Sequence, residues 1–142
     1  MTDHFDEVME YVDKATDKYI SRGSSALDHH ELVLLSVWML EAEVNNGGFN
    51  QYYWNSAGEL ATETIKSLNE IGAHETATIV EAANSNFPNS IPPKDREERQ
   101  NILEELENSG TLKLDSLDNE FYEYPCDLTE LMYQYMLKNG LK

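Results

Sequence analysis

Two carboxylates, Glu41 and Glu43, stand beside Asn45, Asn46, Asn50 and Gln51 around the pair Gly47-Gly48. General acid–base catalysis needs titratable groups aimed at one reacting atom. Two residues apart on a helix, Glu41 and Glu43 point to different sides, so they form no ready-made dyad. Hydrogen bonding to the Gly-Gly turn is the better reading, with a neighbouring Asn offering side-chain atoms to free backbone groups. The alternative is a small enzymatic or ligand-binding domain with a pocket around Glu43, Asn46, Asn50, Gln51 and Trp54.

Other chemistry finds less support. His4, His29, His30 and His74 are scattered, without His-x-x-x-His or Cys/His spacing, so no metal site and no cofactor is expected. Cys126 is the only cysteine; it excludes an internal disulfide and reads as a small, half-buried residue beside Pro125. Asn46-Gly47-Gly48 lacks the lysine and glycine spacing of a phosphate loop, and no Gly-x-Ser-x-Gly is present. Phe49, Tyr52, Tyr53 and Trp54 suit core packing better than base stacking, because no basic groove accompanies them. The chain reads as a non-enzyme.

The elements that must position these residues are helical throughout. Phe5, Val8, Met9, Val12, Tyr19 and Ile20 recur at helical spacing, with Thr2 or Asp3 as the cap and Gly23 beyond the end. The outer face of this helix carries Asp6, Glu7, Glu10, Asp13 and Asp17, relieved by Lys14 and Lys18. Asp28-His29-His30-Glu31 is an N-cap with a carboxylate three residues on, which places His29 and His30 in an exposed first turn. The run from 32 to 44 is apolar on most faces and predicts a central, buried helix that ends at Gly47-Gly48. A short helix follows over 49–55. Then come helices over 60–71 and 73–84, joined as a hairpin, and an irregular segment over 87–93 with three prolines.

A further helix spans 94–107, with Ile102, Leu103 and Leu106 inward and the charged run Lys94 to Arg99 outward. One or two helical turns are expected over 117–122. Asp127-Leu128-Thr129-Glu130 repeats the capping signal and opens a last helix ending near Gly140. The expected fold is all-α, a single domain over 1–142 with about six to eight helices.

Charge is the strongest remaining signal. Twenty-seven acids face ten lysines and arginines, for a formal charge of −17. Residues 23–93 hold nine acids to one base, and residues 101–137 the same ratio, so both halves are acidic. Direct binding to nucleic acid or an anionic membrane is disfavoured, because like charges repel and no basic patch releases counterions. No apolar stretch reaches the length of a membrane span, and no secretory signal follows Met1, so a cytoplasmic location is expected. Rows of carboxylates on helix faces suit a basic surface built to grip phosphates. On composition alone, solubility is the favoured account of the acidity.

The segments from Glu43 through Asn46-Gly47-Gly48-Phe49 to Tyr53, Asn55-Ser56-Ala57-Gly58-Glu59, Ile71-Gly72-Ala73, Phe87-Pro88, Asp95 to Arg99, Leu114-Asp115 and Leu131 to Tyr135 follow in that order. Together they resemble a bacterial family of helical proteins named for a DNA mimic, over about 32–139. The resemblance implies an all-α fold and a homodimer. It also implies an acidic surface that occupies the DNA-binding face of a helix-turn-helix transcription regulator. Asn46, Gly47, Gly48, Phe49 and Tyr52 match the family's structural signature. The surface expected to meet a basic DNA-binding partner comprises Glu104, Glu105, Glu107, Asp115, Asp118, Glu120 and Glu123. A related reading is an immunity or antitoxin-like protein that neutralises a basic toxin.

Overall fold

The computed structural model describes residues 4–142 and is all-α, with seven α-helices and no strand among those residues. The helices are α1 (Phe5–Arg22), α2 (His29–Trp54), α3 (Ala61–Glu70), α4 (His74–Asn84), α5 (Arg96–Asn108), α6 (Asp115–Tyr122) and α7 (Leu128–Lys138). Short 3₁₀ turns occupy Ser24–Ala26, Ser56–Leu60 and Pro88–Ser90. The last of these is irregular, because Asn89 and Ser90 take positive φ angles of 58° and 59° within the proline-rich loop.

Helix α2 is the axis of the fold, because α1, α3, α5 and α6 all pack on it. Its sequence explains the position: Val33 to Val37 are five consecutive buried residues, which only a helix surrounded on nearly all sides accommodates. Leu34, Val37, Leu40, Val44, Phe49, Tyr52 and Tyr53 are all fully buried. Each large apolar side chain contributes on the order of 1.5–3 kcal/mol by leaving water. Helix α4 packs on α3 and α6, and α7 packs on α1.

The helix starts follow their carboxylates. Asp28 accepts the Glu31 amide at 2.8 Å while Glu31 Oε1 accepts the Asp28 amide at 2.9 Å, a complete capping box. Asp95 caps α5 through the Glu98 amide at 2.9 Å, and Asp127 caps α7 through the Glu130 amide at 3.2 Å. The expected cap of α1, Thr2 or Asp3, lies outside the described residues; His4 occupies the cap position without a side-chain bond. Helices α3 and α4 form the expected hairpin, closed by the Ala73 amide on the Leu68 carbonyl at 2.7 Å.

Three expectations are overturned. Arg99, expected outward with its charged neighbours, is completely buried. Trp54, expected in the core, is 38% exposed, because α2 ends there while its partners Phe49, Tyr52 and Tyr53 face inward. His30 is half-buried rather than exposed and meets the Tyr135 hydroxyl at 2.7 Å, whereas His29 stays outside and contacts Glu70 at 2.9 Å.

Candidate functional site

The Gly47-Gly48 junction breaks α2 without ending it. Gly47 has φ −160° and ψ 20°, Gly48 has φ +76° and ψ −178°, and regular helix resumes at Phe49. Only glycine adopts the Gly48 conformation without strain. The Phe49 amide at the break is met from another helix. Asp118 of α6 accepts the Phe49 amide at 2.8 Å, so the partner is a distant aspartate and not a neighbouring asparagine. A Cβ at Gly48 would stand 2.6 Å from Asp118 Oδ2, a second reason for glycine.

The asparagines serve other contacts. Asn46 donates to Gln51 Oε1 at 3.2 Å, and Asn45 donates to the Tyr124 hydroxyl at 2.6 Å. Glu41 and Glu43 point apart as their spacing requires. Glu43 accepts from Gln51 at 3.3 Å and Asn55 at 2.7 Å, bridging the two halves of α2 across the break. Glu41 accepts from Tyr124 at 2.7 Å, and its other oxygen is buried without a partner. Burial lifts the Glu41 carboxyl above the ordinary carboxylate range, against the opposing pull of the Tyr124 hydrogen bond. Burial, followed by that same hydrogen bond, pushes Tyr124 up to about 12.

Arg99 fixes the C-terminal end of α2. Its Nε donates to the Tyr53 carbonyl at 2.7 Å and Nη2 to Asn55 at 2.8 Å; Nη1 reaches Pro93 at 2.9 Å and Lys94 at 3.1 Å. One planar fork therefore ties the end of α2 to the loop that precedes α5. Gly58 leaves room for it, since a Cβ there would lie 2.6 Å from Arg99 Nε. Burial lowers the Arg99 pKa from its ordinary value, opposed by the charge of Glu59.

The acidic residues expected to face a partner divide in two. Glu104, Glu105, Glu107, Asp115, Glu120 and Glu123 are exposed, and none takes part in an ion pair among the described residues. Asp118 is different: it is half-buried, and burial raises its pKa against the effect of the Phe49 amide. Its role in the structure is to hold the α2 break. Glu75 of α4, absent from the expected surface, joins Glu120 and Glu123 around a cleft of about 280 Å³ that Ile79 and Pro125 also line. Carboxylates over an apolar lining suit the stem and charged tip of a lysine or arginine. Only the fold brings Glu75 there; its sequence neighbours gave no signal. Cys126 is buried, with Sγ 3.8 Å from Glu75 Oε2.

A second acidic row lies on α1. Asp6, Glu10, Asp13 and Asp17 are exposed and spaced by four, three and four residues, which puts them on one helix face. A cleft of about 330 Å³ opens between α2 and the start of α5, lined by Trp38, Met39, Ala42, Glu43, Asn55, Ser56, Ala57 and Arg96. Of the residues expected around a pocket, Glu43 lines this cleft, whereas Asn46, Asn50, Gln51 and Trp54 do not. No group of three or more potential ligands could hold a metal ion among the described residues, and no helix there is long and apolar enough to cross a membrane.

Fold and surface define the class: an all-helical, strongly acidic protein built on a broken central helix, with carboxylates displayed on its outer helices. The sequence model of the DMP19-like protein family matches residues 25–139, and the chain belongs to that family, which is one of DNA mimics. No curated protein and no solved structure matches the chain.

Proposed function

We propose that this protein is a non-enzymatic acidic binding protein that occupies the DNA-binding surface of a basic protein such as a helix-turn-helix regulator. The observation that carries this reading is the set of exposed, unpaired carboxylates on α5 and α6: Glu104, Glu105, Glu107, Asp115, Glu120 and Glu123. Carboxylates already neutralised by neighbouring lysines would offer a partner little; these retain their charge for it. Family membership supports the same reading. Glu75 extends the face at the α4–α6 cleft. Asp118 contributes to the partner site only indirectly, by fixing α6 against α2. The partner is a protein and not nucleic acid, because a chain of charge −17 repels phosphates. A homodimer belongs to the same proposal, as does a cytoplasmic place of action.

The test is affinity capture from native lysate at low and high salt, with identification of the bound proteins. Recovery of a basic DNA-binding protein, lost at high salt and displaced by duplex DNA, supports mimicry. The quadruple variant Glu104→Lys, Glu105→Lys, Glu107→Lys, Glu120→Lys then loses that partner while keeping its helicity. Undiminished affinity of this variant sinks the assignment of the α5–α6 face; a parallel reversal of Asp6, Glu10, Asp13 and Asp17 tests the α1 row. Light scattering of the purified chain tests the dimer.

A further inference from the structure

We propose that the cleft between the middle of α2 and the start of α5 binds a free α-amino acid with an apolar side chain. Arg96 supplies the positive end. Its Nε donates to the Trp54 carbonyl at 3.1 Å and its Nη2 to Asn55 Oδ1 at 3.3 Å, so the guanidinium is oriented while Nη1 remains available. Acids outnumber bases 27 to 10 in this chain, yet Arg96 pairs with none of them among the described residues. An oriented, unneutralised guanidinium at a cleft favours a carboxylate ligand.

Glu43 supplies the negative end. Each of its oxygens accepts one amide hydrogen, from Gln51 and from Asn55, and keeps a further lone pair. The Asn55 amide donates to Glu43 and accepts from Arg96, so one planar group sets the separation of the two charges. Trp38 and Met39 give the cleft an apolar wall, and its volume of about 330 Å³ suits a small molecule. The net charge decides between ligand classes. A field from −17 charges repels a small anion, whereas a zwitterion carries no net charge and aligns its ends with Arg96 and Glu43. This site is independent of the acidic faces, and its failure leaves their assignment untouched.

The test is calorimetric titration of the full chain with L-phenylalanine and L-leucine, alongside the shift of the Trp38 indole resonance, assigned with Trp54→Phe. Saturable binding that moves this resonance is expected. The analogues 3-phenylpropanoate and phenethylamine, each lacking one charge, should bind roughly tenfold or more weakly. Arg96→Met should show a similar loss at unchanged circular dichroism, and Arg96→Lys should retain part of the affinity. A silent Trp38 resonance with both amino acids, 3-phenylpropanoate binding as tightly as L-phenylalanine, or undiminished binding to Arg96→Met would overturn the proposal.

Discussion

Helix α5 shows two uses of charge along its length. Its inner face holds Arg99, fully buried with four carbonyl acceptors, and its outer face holds Glu104, Glu105 and Glu107, exposed and unpaired. Helix α6 repeats the contrast, with Asp118 turned onto the α2 break and Asp115 and Glu120 turned to solvent. A charge taken out of water is destabilising unless its whole hydrogen-bonding capacity is met. The buried members therefore fix geometry. The outer members do the reverse: they contribute little to folding and leave their charge free for another surface.

The sharpest break of that contrast is Arg99→Met. It strands the carbonyls of Tyr53, Asn55, Pro93 and Lys94, and should lower stability by about 3–5 kcal/mol in urea unfolding. Gly48→Ala comes next. A side chain at φ +76°, driven against Asp118, should lower stability by roughly 1–3 kcal/mol by the same assay.

Titration refines the inner half further. Burial raises the folded pKa of Glu41 above its ordinary value of 4.5, so folding favours its protonated form. The stability tied to that proton is complete below pH 4.5 and is lost as pH rises through the raised folded pKa. Glu41→Gln cannot ionise, so it should gain on the native chain between pH 4.5 and neutrality. Paired unfolding curves at pH 4.5 and 7.5 check the sign; an unchanging difference would mean that Glu41 titrates alike folded and unfolded. The smallest stability effect belongs outside. Glu104→Gln, Glu105→Gln and Glu107→Gln together should change stability by no more than about 0.5 kcal/mol, while weakening the basic partner in a salt-dependent manner.

Much of the scaffold was legible because its signals are local. The capping carboxylates at Asp28 and Asp127, the apolar run of α2, the α3–α4 hairpin and the break at Gly47-Gly48 each rest on residues within one or two helical turns. The candidate site was legible only in outline. Glu104, Glu105 and Glu107 are exposed as their helical spacing indicated, and Phe49 and Tyr52 are buried. Arg99 defied its neighbours: embedded in a charged run, it looks like surface, and nothing within α5 reveals the four carbonyls that α2 and the preceding loop bring to it. The inward role of Asp118 and the placement of Glu75 escaped for the same reason. Their partners lie 69 residues and 51 residues away along the chain, at Phe49 and Cys126.

By itself the sequence determined the helical class, the central helix, its break and the acidity of both halves, because composition and periodicity act through neighbours along the chain. Tertiary structure alone decided which charges turn inward. It chose Asp118 over the nearby asparagines to meet the Phe49 amide, buried Arg99, carried Glu75 to Glu120 and Glu123, and set Arg96 and Glu43 on either side of Asn55. The physical reason is that a charge is buried only where its full set of partners converges, and convergence is a property of packed helices rather than of the chain order.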